Sequence, residues 1–202
     1  CARRLGIEST LQPYLSSALG TSEVTPLELV RAFCSLANGG RRVEPIAVTK
    51  ITDAQGRILL ENKPRLRQVA DPGAVYIITD VLRDVLKPGG TAANISGKVN
   101  RPAAGKTGTS QDYGNAWFAG YTPNLAAVVW VGMDKAALSA GGSGARLAAP
   151  IWADFIEEGL AGTPKVDFPR PENVTELEIC TASGLRASWW CPREEITTET
   201  RD

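Results

Sequence analysis

Histidine is absent from the 202 residues. That removes the commonest general base and the commonest zinc ligand together. A Ser-His-Asp triad, a Cys-His pair and a His-rich metal site are therefore excluded within this chain, and proton transfer must fall to Lys, Tyr, Asp, Glu or a perturbed terminus. Cysteine is sparse: Cys1, Cys34, Cys180 and Cys191 show no C-x-x-C spacing, which makes a poor zinc set, so no metal is expected. No apolar run approaches the roughly 20 residues a membrane helix needs. The longest, Leu125 to Met133, reads as a buried strand. Net charge is missing too, with 22 basic and 22 acidic residues, so no strong field draws in anionic lipid and no nucleic-acid partner is expected.

What is present describes a folded, water-soluble unit. Hydrophobic residues make up 43% and charged residues 22%, close to the average for globular domains. The length suits one domain, or one with an appendage. The chain opens Cys-Ala-Arg-Arg, with neither an initiator Met nor a signal-peptide pattern, and reads as an interior piece of a longer polypeptide.

Thr25-Pro26-Leu27-Glu28 has the form of a capping box with proline at the first helical position, and Val30, Phe33, Cys34 and Ala37 follow at helical spacing until Asn38-Gly39-Gly40. Val43 to Thr52 and Arg57 to Glu61, joined by Asp53-Ala54-Gln55-Gly56, predict a β-hairpin, with Asn62 to Gln68 as a solvated connector. Asp71-Pro72 opens a second helix carrying Val75, Ile78, Leu82, Val85 and Leu86, which Pro88-Gly89-Gly90 closes. Three strands follow, Ala103 to Ser110, Asn115 to Tyr121 and Leu125 to Asp134, and their short connections demand antiparallel neighbours. After the Gly- and Ala-rich loop Lys135 to Ala149, Pro150 begins a third helix with Ile151, Trp152, Phe155 and Ile156 as its packing residues. Trp117, Trp130 and Trp152 are expected in the core. The segment 165–202, rich in proline and charge, is expected to be an extended tail or small appendage to residues 1–164, with Trp189 and Trp190 either an interaction surface or, as the favoured reading, packed locally. The fold class is α+β, an antiparallel sheet flanked by helices.

The chemistry concentrates in Ala104-Gly105-Lys106-Thr107-Gly108-Thr109-Ser110. Glycine within a strand weakens it and often marks close approach of a ligand or another backbone. Lys106 offers an ammonium and Thr107 and Thr109 offer hydroxyls, while Gly108 withholds a side chain that would fend off a bound peptide. Together these suit a carboxylate-binding edge onto which an extended substrate pairs, with a backbone N–H free for an oxyanion hole. The bland alternative is an exposed strand with a solvated lysine and a bulge at Gly108. A phosphate loop, suggested by Gly105-Lys106-Thr107, needs glycine where Asn100 stands and a helix to follow, and it meets Pro102 inside the would-be loop.

The run Lys106-Thr107-Gly108-Thr109-Ser110-Gln111-Asp112-Tyr113, then Asn115-Ala116-Trp117-Phe118-Ala119-Gly120-Tyr121-Thr122-Pro123 and Val129-Trp130-Val131-Gly132, resembles the K-T-G region of class A penicillin-binding proteins. Leu19-Gly20, Val24 to Leu29 and Ala37 to Gly40 upstream, with Gly141-Gly142 and Ala149-Pro150-Ile151-Trp152 downstream, extend the similarity from about Gly6 to Gly162. The resemblance implies a penicillin-binding protein transpeptidase or serine β-lactamase-like fold, incomplete in this chain. It implies a peptidoglycan D,D-transpeptidase whose partners are stem peptides, a D-Ala-D-Ala donor and an amine acceptor, with β-lactams as covalent inhibitors. Neither a cofactor nor a metal is implied.

By the same resemblance Lys106 and Thr109 are the catalytic candidates. Lys106 would supply the field for the terminal carboxylate, and Thr109 would bind that carboxylate and lend its N–H to the oxyanion hole. Thr107, Gly108 and Ser110 complete the substrate-binding set. The chain departs from the family in one large respect: neither S-x-x-K nor S-x-N occurs in it. It is thus expected to be the K-T-G part of a transpeptidase domain, inactive alone and partnered by a missing N-terminal half, or else a non-catalytic, degenerate cell-wall binding module. The location implied is extracytoplasmic, anchored by a segment outside the chain. That compartment permits disulfides, and Cys180 with Cys191 is the expected pair, while Cys34 is expected to be a small buried hydrophobe.

Overall fold

The computed structural model describes residues 1–110, 114–133 and 142–201. A short helix, α1 (Ala2–Leu5), leads to α2 (Pro26–Ala37), whose capping box forms as expected. Thr25 Oγ1 accepts from the Glu28 N–H at 3.3 Å, and Glu28 Oε2 accepts from the Thr25 N–H at 2.8 Å. Glu28 also accepts from the N–H groups of Glu8 and Ser9 and from the Ser9 hydroxyl, so one buried carboxylate staples residues 8–9 onto α2. The Ser9 hydroxyl and then the Thr25 N–H hold this carboxyl well below the usual carboxylate range.

The hairpin region differs from expectation. Lys50–Thr52 (β2) does pair with Ile58–Glu61 (β3), but the residues before it are not one strand. Arg41–Val43 (β1) pairs instead with Leu66–Gln68 (β4), inside the stretch expected to be a connector. Pro45, which cannot donate to a strand ladder, separates β1 from β2.

The Asp71 carboxylate caps α3 (Pro72–Arg83) by accepting from the Ala74 N–H at 2.9 Å, and a 3-10 turn, Asp84–Leu86, continues the helix. Val75 and Thr79 are buried, whereas Ile78 is exposed, so the packing face is centred away from it.

The central sheet has the order β5 (Ala104–Thr109), β6 (Asn115–Tyr121), β7 (Ala126–Gly132), antiparallel throughout. Against one face packs α4 (Ala149–Gly159), in a core that joins Phe118 to Trp152, Ala153 and Ile156 and to Ala92 and Ile95. The Trp152 ring lies 4.9 Å from Phe118 and its Nε1–H donates to the Gly120 carbonyl at 3.2 Å. A Cβ on Gly120 would stand 2.6 Å from that indole, so glycine is required for the helix to sit this close. On the other face Tyr121 and Ala104 meet Phe33 and Leu36 of α2, with Phe168 alongside. There the Tyr121 hydroxyl shares a 2.8 Å hydrogen bond with Thr79 Oγ1, and burial pushes its pKa up to about 12.

Several packing expectations are corrected. Of the helix residues expected to pack, Trp152 and Ile156 are buried, but Ile151 and Phe155 are 52% and 53% exposed, because Ala153 completes the inner stripe. The strand expected to be buried, β7, is half-buried at the edge of the sheet, with Trp130 and Met133 exposed. Trp152 alone of the three expected core tryptophans is fully buried; Trp117 is half-buried and lies 6.0 Å from Trp130.

Beyond residue 165 the chain forms a hairpin, β8 (Thr175–Cys180) with β9 (Ile196–Arg201). The expected Cys180–Cys191 disulfide is present. Thr200 Oγ1 donates to the Asp80 carboxylate at 2.6 Å, and Arg83 pairs with Asp167 and stacks over Phe168, which ties this segment to α3. Trp189 and Trp190 stack on each other, 91% and 74% exposed, rather than packing into the chain. Cys34 is half-buried, and burial pushes its thiol pKa up. No helix among the described residues is long and apolar enough to cross a membrane.

Candidate active site

The candidate residues line β5, an outer strand with no partner on its far edge among the described residues. The Ser110 N–H donates to the Asn115 carbonyl at 3.0 Å, and alternate residues of an antiparallel strand bond to the same neighbour. By that alternation Lys106 and Gly108 direct their backbone groups to β6, while Thr107 and Thr109 present theirs to the open edge. The Lys106 ammonium, itself exposed, donates to the Thr107 carbonyl at that edge at 2.6 Å. Thr107 and Thr109 also share a side-chain face, since side chains alternate along a strand.

The two hydroxyls have different partners. Thr107 Oγ1 donates to Thr91 Oγ1 at 3.0 Å, and Thr109 Oγ1 accepts from the Gly144 N–H at 3.1 Å. Ser110 Oγ accepts from the Asn115 N–H at 2.9 Å, which closes the start of the turn between β5 and β6. Gly108 faces Trp117, and a Cβ there would stand 3.2 Å from the Trp117 Cβ, so the glycine makes room within its own sheet. Lys106, Thr107, Gly108, Thr109 and Ser110 are thus one continuous edge; Gln111, Asp112, Tyr113 and Gly141 of the sequence motif lie outside the described residues. Sequence reasoning missed Thr91 and Gly144. Thr91 directly follows Gly89-Gly90, read only as a helix stop, and Gly144 lies in a loop where several glycines cluster.

Chemically, a cation, the Thr109 hydroxyl, and the Thr107 N–H with the Thr109 N–H and C=O, which have no partner among the described residues, can hold a carboxylate and pair with an extended peptide. The one group of metal-ligating side chains among the described residues is Cys180, Cys191 and Glu195, with ligand atoms within 4.8 Å of one another. Its two sulfurs are joined in the disulfide and have no thiolate to offer.

Residues 6–157 match the model of the penicillin binding protein transpeptidase domain. Penicillin-binding protein 2D of Bacillus subtilis is 36% identical over 202 residues, covering 97% of this chain and 29% of the relative. Penicillin-binding protein 1A of Aquifex aeolicus is 40% identical over 174 residues, covering 85% and 24%. Among solved structures, penicillin-binding protein 1A from Haemophilus influenzae superposes with a TM-score of 0.88 at 25% identity, covering 98% of this chain and 35% of that one. PonA1 from Mycobacterium tuberculosis, in complex with penicillin V, gives 0.72 at 25% identity, covering 85% and 51%. The chain spans less than a third of the length of these curated relatives.

Proposed function

This chain belongs to the penicillin-binding protein transpeptidase domain family, and we propose that its β5 edge is the substrate-binding strand of a peptidoglycan D,D-transpeptidase. The observation that carries the reading is the open edge of β5, where the Lys106 ammonium reaches the Thr107 carbonyl and the N–H groups of Thr107 and Thr109 have no partner among the described residues. Lys106 sets a positive field for the terminal carboxylate of the donor stem peptide, and Thr109 binds that carboxylate through its hydroxyl. The Thr109 N–H contributes to the oxyanion hole, Thr107 and Ser110 support the edge, and Gly108 lets the peptide lie against it.

The reaction is acyl transfer. A serine Oγ supplied by an S-x-x-K motif, which residues 1–202 do not contain, attacks the penultimate D-Ala carbonyl. The terminal D-Ala leaves with the proton, and an amine of a neighbouring stem peptide then releases the acyl group from the serine. β-Lactams enter as mimics of the donor and remain as acyl adducts. Residues 1–164 are the transpeptidase portion and 165–202 an appended segment. The site works outside the cytoplasm, a placement that the Cys180–Cys191 bridge fits.

The test is to treat the longest native polypeptide containing residues 1–202 with labelled penicillin and to map the adduct by peptide mass. An adduct on a serine outside these residues, formed more slowly when Lys106 is replaced by alanine, is the expected result. An adduct on Ser110 or another serine within them would overturn the assignment of roles. No adduct at all would leave the degenerate binding module as the function.

A further inference from the structure

Gly144 begins the π-helical turn Gly144–Ala148 that leads into α4, and it is buried over the Gly108–Trp117 pair of the sheet. A Cβ at this position would lie 2.2 Å from the Trp117 carbonyl oxygen and 2.5 Å from that of Gly108. Only glycine therefore brings its N–H to Thr109 Oγ1 without displacing β5 or β6. The turn is itself fixed, since Ser143 caps it by accepting from the Arg146 N–H.

A hydroxyl has one hydrogen and two lone pairs. Thr107 gives its hydrogen to Thr91. Thr109 has one lone pair filled by the Gly144 N–H and, among the described residues, donates to nothing. A backbone donor that occupies a lone pair directs the O–H elsewhere and polarises it toward the next acceptor. We propose that Gly144 is a positioning residue: its N–H holds the Thr109 hydroxyl as a dedicated donor to the substrate carboxylate at the open edge of β5. The inference rests on the transpeptidase reading, and it makes the turn before α4 part of carboxylate recognition.

The test compares acylation of the longest native polypeptide containing residues 1–202 by benzylpenicillin and by its methyl ester, which lacks the carboxylate. The unsubstituted protein favours the acid by about tenfold or more, the scale of one hydrogen bond to a charged acceptor. Gly144→Ala and Thr109→Val each bring that preference to within about threefold, the double variant is no worse than either alone, and Thr109→Ser restores it. Amide exchange at Gly144 is fast in Thr109→Val and protected in Thr109→Ser, which decides the matter should Gly144→Ala fail to fold. Equal losses toward acid and ester in Gly144→Ala, or an intact preference in Thr109→Val, overturn the inference while leaving acyl transfer standing. Failure of the unsubstituted protein to react with either compound overturns the transpeptidase reading and the inference with it.

Discussion

Replacing Trp152 tests whether the α4 core holds the candidate strand in place. The indole is fully buried, packs 4.9 Å from Phe118 and bonds to the Gly120 carbonyl at 3.2 Å, one strand away from β5. Trp152→Ala removes the ring and leaves a cavity that the rigid sheet cannot close, at a cost of about 3–5 kcal/mol. Trp152→Phe keeps most of the aromatic volume and loses the hydrogen bond, worth about 1 kcal/mol, so its total cost is about 2 kcal/mol once the smaller ring's looser packing is added. Against a domain stability on the order of 5–15 kcal/mol, the alanine variant removes a large share. The assay is hydrogen exchange of the β6 amides in the native polypeptide, with penicillin acylation measured in parallel. Protection and acylation both fall in the order native, Phe, Ala. A loss below about 1 kcal/mol for alanine, or a phenylalanine variant as damaged as the alanine one, would refute the view that this indole anchors the sheet.

Cys180 and Cys191 are separated by 11 positions, and closing a loop of that size stabilises by about 3 kcal/mol in the chain-entropy account, so reduction should raise exchange in β8 and β9 while sparing β5 to β7. Glu28 titrates in the opposite sense to Tyr121. Its depressed carboxyl contributes stability at pH above the ordinary value of about 4.3, and that stability is lost as the pH falls below it, so Glu28→Gln should flatten the acid limb of a stability–pH curve. Tyr121, raised to about 12 chiefly by burial, contributes stability below about pH 10 that is lost as pH climbs from 10 to 12, and Tyr121→Phe should flatten the alkaline limb. An unchanged acid or alkaline limb in either variant counts against its assignment.

The helix starts at Thr25 and Asp71 and the strand Asn115–Tyr121 are where the chain's own pattern places them, because capping and alternation are settled by residues a few positions apart. The pairing of β1 with β4 was not legible. Both strands are three residues long and mostly polar, and nothing in either one names a partner across more than twenty intervening positions. Periodicity also misassigned α4 in part. Ile151 and Phe155 fit a helical stripe as well as Ala153 does, and hydrophobicity favours the larger side chains. The choice was made by shape: the sheet offers the groove over Gly120, Trp152 fills it, and the stripe that follows is fixed by that one fit.

The same division runs through the site. Lys106, Thr107 and Thr109 are readable because polar side chains and glycine are out of place in a strand, and that incongruity is enough to mark the edge. Thr91 and Gly144 reach the edge from segments 16 and 35 positions away, and for Gly144 the acting group is a backbone N–H that every residue but proline carries. What the sequence records there is only a missing Cβ, in a loop where glycine has several other uses. Side chains proposed to touch a ligand can thus be singled out from their own chemistry, whereas a backbone donor proposed to orient them becomes visible only when two strands and a turn leave no room for anything larger than hydrogen.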